Sequence, residues 1–130
     1  MSGFVGLVPA VRVRLRNLPL RVEYPSDGSV EAVMDTGYEG FLAVPPSIFG
    51  ALGLDKMMAQ SRTVEVADGR RVRSRVAYGT VELEGVKKEV DGPVETFEGL
   101  TEVLAGARLL SDFRVTLDYC LRTVALKPCG

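Results

Sequence analysis

From Val11 to Arg16 apolar and basic residues alternate without a break, so Val11, Val13 and Leu15 fall on one face of an extended chain and Arg12, Arg14 and Arg16 on the other. This period of two is the signature of a β-strand with one face in a core and one in water. It recurs along the chain. Leu20, Val22 and Tyr24 alternate with Arg21 and Glu23, and Pro25-Ser26-Asp27-Gly28-Ser29 then favours a turn. Val30 to Asp35 reads as the next strand. Phe41 to Val44 is apolar throughout, suits a strand buried on both faces, and is stopped by Pro45-Pro46. Pro46 can open a short helix through Leu52, which Gly53 ends. Thr63 to Val66 and Arg71 to Tyr78 form the longest hairpin signal, joined by a tight turn at Ala67-Asp68-Gly69-Arg70. Glu84-Gly85 and Asp91-Gly92-Pro93 mark further turns. Leu100 to Ser111 has the helix formers for part of a helix, and Arg114 to Lys127 reads as a hairpin turning near Cys120 to Arg122. The pattern predicts a mainly β chain, a small barrel or folded sheet with two short helices.

At 130 residues, with 46% hydrophobic and 25% charged residues, the chain has the size and mixture of a single globular domain spanning 1–130. A net charge of -1 gives no overall field toward nucleic acid or anionic lipid. The arginines at 12, 14 and 16 and at 71, 73 and 75 could form basic stripes. No aromatic stacking residues interleave with them, so a solvated strand face balanced by nearby acids is expected, with no nucleic-acid partner. The run from Gly3 to Val11 lacks a basic start and gives way to arginines, which fits neither a signal peptide nor a membrane span. Cys120 and Cys129 match no redox or zinc spacing; they are expected to be small, half-buried residues in a reducing, cytoplasmic setting, with an intersubunit disulfide as the alternative. Histidine is absent, which removes Ser-His-Asp and Cys-His chemistry.

The segment with chemical content is Ala32-Val33-Met34-Asp35-Thr36-Gly37-Tyr38-Glu39-Gly40-Phe41-Leu42, where one carboxylate sits between an apolar strand and a glycine-rich turn. A half-buried Asp must be hydrogen-bonded or paired, and Thr36-Gly37 offers a hydroxyl and an unobstructed backbone. On Asp35-Thr36-Gly37 the sequence resembles the retroviral-type aspartic proteases and their short cellular and microbial relatives. The likeness continues through the proline-led helix at Pro45-Pro46, a flap-like hairpin from Val64 to Val76, the segment Val103-Leu104-Ala105-Gly106-Ala107-Arg108-Leu109-Leu110 and the strand Arg114 to Tyr119, covering roughly residues 25–128.

That resemblance implies a closed or partly open acid-protease barrel with its active site at a homodimer interface. A single D-T-G in so short a chain supplies one catalytic residue, Asp35, and a symmetric partner supplies the second. Two adjacent aspartates cannot both ionise, so the pair holds one proton; one acts as base on a water that attacks a peptide carbonyl, and the other as acid. No cofactor or metal is required. The resemblance further assigns Thr36 and Gly37 to support of the catalytic loop, and Gly37, Glu39, Gly40, Ala67, Asp68 and Gly69 to substrate binding, the last three at the flap tip. The family often carries an arginine directly after the late glycine to brace the acid past D-T-G. Here Ala107 holds that place and Arg108 follows, so the brace is either displaced, as a Glu39 to Arg108 pair, or missing. The flap tip has one glycine where retroviral enzymes carry several, which points to a stiffer or shorter flap. The competing class is a dimeric protease-fold module that binds peptide or protein without cleaving it.

Overall fold

A computed structural model describes residues 3–57, 60–65, 68–86 and 88–129. The alternating Val11–Arg16 segment forms the body of β2 (Val8–Asn17), whose apolar face is sealed: Val11, Val13 and Leu15 are at most 1% exposed. β1 (Gly3–Val5) folds back on the start of β2 as a hairpin, and β3 (Val22–Tyr24) folds back on its end. Leu20 falls in the intervening turn and is exposed, so the second alternation yields a strand only from Val22. β4 (Val30–Asp35) runs antiparallel to the first half of β2, and β5 (Leu42–Ala43) is buried on both sides, as a continuously apolar run requires. Helix α1 (Pro46–Ala51) has Pro45 as its N-cap and proline in its first turn; Gly53, at φ 70°, lets the chain turn into one 3-10 turn at Leu54–Lys56.

The remaining strands are β6 (Gln60–Glu65), β7 (Arg71–Leu83), β8 (Glu89–Phe97), β9 (Val103–Gly106), β10 (Phe113–Asp118) and β11 (Thr123–Pro128), with helix α2 (Ala107–Leu110) between β9 and β10. Among the described residues, eleven strands make one sheet in the order β10-β11-β1-β2-β4-β9-β5-β8-β7-β6, with β3 on β2. The second half of β2 also pairs with β7, from Val13 opposite Leu83 to Arg16 opposite Thr80, and this turns the sheet back on itself through β4, β9, β5, β8 and β7. Inside the partly closed sheet lie Val11, Val13, Leu15, Leu42, Val44, Phe49, Leu52, Val81, Leu83 and Val94. The mainly β class with two short helices is therefore as the patterning predicts.

Two local readings fail. Asp91-Gly92-Pro93 is no turn but the middle of β8, because a close contact demands the glycine: a Cβ on Gly92 would sit 2.6 Å from the Phe41 ring. Pro93 is tolerated because pairing with β5 starts only at Val94, one residue past its missing donor. The stretch 100–111 does hold part of a helix, α2, while Val103–Gly106 is captured as a strand between β4 and β5. Cys120 and Cys129 are both exposed free thiols, not half-buried, because the β10–β11 turn and the chain beyond β11 carry them outside the sheet. The arginines of β2 meet acids as expected: Arg14 and Arg16 both bond Glu23, and Arg16 also reaches Glu82 and Glu89. No helix among the described residues is long and apolar enough to cross a membrane.

Candidate active site

β4 carries Asp35 as its last residue, with β2 hydrogen-bonded on one side and β9 on the other. The carboxylate is half-buried, while Thr36 and Gly37 are exposed. The chain turns at once: the Tyr38 N–H donates to the Asp35 carbonyl (3.1 Å) and the Gly37 N–H to Asp35 Oδ1 (3.1 Å). A backbone donor thus holds the orientation of the carboxylate, and a side chain on Gly37 would lie against that same oxygen at 3.4 Å.

The loop that follows is fastened by main-chain bonds to the β9–α2 junction. Gly106 N–H donates to Phe41 O (2.9 Å), Ala107 N–H to Tyr38 O (2.8 Å) and Arg108 N–H to Gly40 O (3.1 Å). Such close contact needs a bare backbone at Gly106, where an added Cβ would lie 2.0 Å from the Gly40 carbonyl oxygen. The Tyr38 ring lies across both glycines: its hydroxyl would meet a Cβ on Gly40 at 2.3 Å, and its Cδ2 one on Gly106 at 2.7 Å.

Asp35, Thr36, Gly37, Glu39 and Gly40 therefore share one loop. Glu39 and Arg108 are both exposed and, among the described residues, make no ion pair with each other; Arg108 engages the loop through its backbone N–H instead. Ala67 lies outside the described residues. Asp68 and Gly69 occupy the β6–β7 turn, with Gly69 at φ 85° and Asp68 accepting from the Arg70 N–H (3.0 Å) and Arg70 Nε (2.6 Å). The Arg70 backbone donor, followed by its side chain, holds the Asp68 carboxyl below the usual range.

The base of this hairpin meets the Asp35 loop through a residue that the patterning did not single out. Glu95, on β8, is 2% exposed and accepts from Tyr38 Oη (2.8 Å), Ser74 Oγ (2.7 Å) and Arg62 Nε and Nη2 (2.8 and 3.1 Å). Burial pushes its carboxyl upward, but the bonds from Arg62, Ser74 and Tyr38 and the charge of Arg62 outweigh this and hold it below the usual carboxylate range. Tyr38 moves the other way: burial first, then its bond to Glu95, raise its hydroxyl far above the ordinary phenol range. The available signal was an acid between Val94 and Thr96-Phe97, obscured by reading the residues just before it as a turn.

A surface cavity of about 680 Å³, lined by residues including Arg14, Ser29, Glu84 and Glu89, takes in no residue of the Asp35 loop. The loop follows directly on the end of β4, and among the described residues no cluster of three or more His, Cys, Asp or Glu side chains could hold a metal ion.

No protein-family model matches the chain. It is similar to an uncharacterised protein of Archaeoglobus fulgidus, 38% identical over 126 residues that cover 97% of this chain and 98% of the other. Among solved structures it is similar to EIAV protease in complex with the inhibitor HBY-793, with a TM-score of 0.58 and 12% identity over 86% of this chain and 93% of that one. It is also similar to a retropepsin-like aspartic protease from Rickettsia conorii, with a TM-score of 0.54 and 18% identity over 91% of this chain and 88% of that one. At these identities the likeness establishes a retropepsin-like fold.

Proposed function

We propose that this chain, which belongs to one family with the Archaeoglobus fulgidus protein and has the retropepsin-like fold, is half of a homodimeric aspartic endopeptidase with Asp35 as its catalytic residue. The observation that carries this reading is the D-T-G loop itself. It is a single half-buried carboxylate at the end of a strand, oriented by the Gly37 N–H and backed by a glycine-tight main-chain contact with Gly106. The D-T-G tripeptide has one ionisable group, and no histidine in the chain can share the work, so paired acid-base chemistry calls for a second copy.

In the dimer, two Asp35 carboxylates share one proton. The ionised one takes a proton from water as that water attacks the peptide carbonyl. The protonated one donates to the developing oxyanion and then passes a proton to the departing nitrogen. Thr36 links the two loops across the axis, Gly37, Glu39 and Gly40 line the substrate path, and the hairpin turn at Asp68 and Gly69 closes over the peptide.

Support for a self-complementary surface comes from exposed apolar residues at the Asp35 end of the sheet. β4 ends beside the start of β2, where the β1–β2 turn exposes Leu7 (79%), and the adjacent β10–β11 turn exposes Tyr119 (61%) and Leu121 (74%). The two turns are tied together by the Phe4–Tyr119 ring contact and a bond from Arg122 to the Gly6 carbonyl. A dimer built on these strands near the termini would cover them. The two exposed free thiols suit a reducing compartment, and a cytoplasmic location is part of the proposal.

The test combines Asp35→Asn with sedimentation. The amide keeps the shape and removes the ionisable group, so peptide cleavage should vanish while the circular dichroism spectrum and dimer remain. Undiminished turnover in that variant, or full activity from a strict monomer, overturns the reading. A dimer that binds peptide but never cleaves it identifies the non-catalytic module instead.

A further inference from the structure

The side chain of Glu95 is 3% exposed, and nothing in the proposed chemistry uses it. A buried carboxylate is costly unless paired and fully hydrogen-bonded, so its partners define what retains it. Oε1 accepts from Tyr38 Oη and Arg62 Nη2, and Oε2 from Arg62 Nε and Ser74 Oγ. These donors come from three separate places: the loop after D-T-G, the outer strand of the hairpin and its inner strand.

The registers explain how they meet. Arg62 stands opposite Ser74, and Val76 stands opposite Glu95, so Arg62, Ser74 and Glu95 share one face of three neighbouring strands. β6 ends the strand path with β7 as its neighbour, and the fork of Arg62 gives it a second attachment, reaching past β7 to β8. Tyr38 arrives from 57 residues away in sequence, with its ring seated across Gly40 and Gly106.

We propose that Glu95 is a positioning residue that couples the β6–β7 hairpin to the Asp35 loop, so that the anchoring of Arg62 and the seating of Tyr38 strengthen or weaken together. The position of the hairpin base, set by Arg62 and Ser74, is thereby transmitted to the loop that carries Asp35. The catalytic consequence rests on the protease reading; the coupling itself does not.

Hydrogen exchange on the full chain tests the coupling without reference to activity. Tyr38→Phe should speed exchange of the β6 amides bonded to β7 by about tenfold, although it removes no group from β6, and Arg62→Met should do the same at residues 38–42. Arg62→Lys should restore part of the protection, because it returns a charge but not the fork. The double variant Tyr38→Phe/Arg62→Met should show much less than the product of the two single effects, as should either change on a Glu95→Gln background. If Glu95→Gln fails to fold, the double-variant cycle still decides. Effects confined to each variant's own segment, or multiplying independently, overturn the proposal. In peptide cleavage, each single variant should alter both kcat and KM. A native chain with no cleavage defeats the protease reading alone, and the exchange pattern then decides the coupling by itself.

Discussion

The Asp35 loop and the base of the β6–β7 hairpin are neighbours held by opposite means. The loop is sewn to β9 and α2 by backbone donors from Gly106, Ala107 and Arg108, and its tightness depends on a missing side chain at Gly106. The hairpin base is tied down by ionised and hydroxyl side chains converging on Glu95. Main-chain bonds do not titrate and have few alternatives, whereas a carboxylate hub answers to pH and can be released one partner at a time. The Asp35 loop is thus fixed by steric fit, and the hairpin by charge.

Substitution should separate the two. Gly106→Ala should have the largest effect on stability, about 3 kcal/mol or more by urea denaturation, because the new methyl must displace the Gly40 backbone rather than a flexible side chain. A loss below about 1 kcal/mol would mean that the loop is softer than its contacts indicate. Glu95→Ala should come next, at about 2 kcal/mol, since it strands the Tyr38 and Ser74 hydroxyls while exposed Arg62 returns to water.

The hub should also show in acid. Its folded-state pKa lies below the unfolded value of about 4.5, so its contribution to stability is complete only above that value and is lost as pH falls through the lower folded value. Glu95→Gln should therefore flatten part of the acid limb of a stability-versus-pH curve. An unchanged limb would show that the hub bears little of the acid sensitivity. The smallest effects are expected at Glu39→Ala and Arg108→Ala, each within about 0.5 kcal/mol, because both side chains are exposed and Arg108 serves the loop through its backbone. A much larger loss at either would reinstate the brace between them.

What the sequence revealed follows the same division. Period-two alternation located β2 and both strands of the hairpin, and the apolar run at 41–44 located buried β5, because these depend on local pattern. Asp35 stood out because a lone acid between apolar strands is locally anomalous. The middle of β8 was read as a turn because Asp-Gly-Pro is turn chemistry, while its glycine answers to Phe41, about fifty residues away. β9 carries helix formers, and two neighbouring strands override them. The hub on Glu95 joins residues 38, 62, 74 and 95, and no short window contains it.

β2 pairs with β1 and β4 along its first half and with β3 and β7 along its second, meeting both last partners at Arg16. Its register is therefore set four times over. One residue inserted between Ala10 and Leu15 would swing valines to water and arginines to the core for the rest of the strand, with no single ladder able to absorb the slip. Length variation in this half of the chain should accordingly accumulate in the turns at 18–21 and 25–29, where an added residue leaves all four registers and the height of Asp35 unchanged.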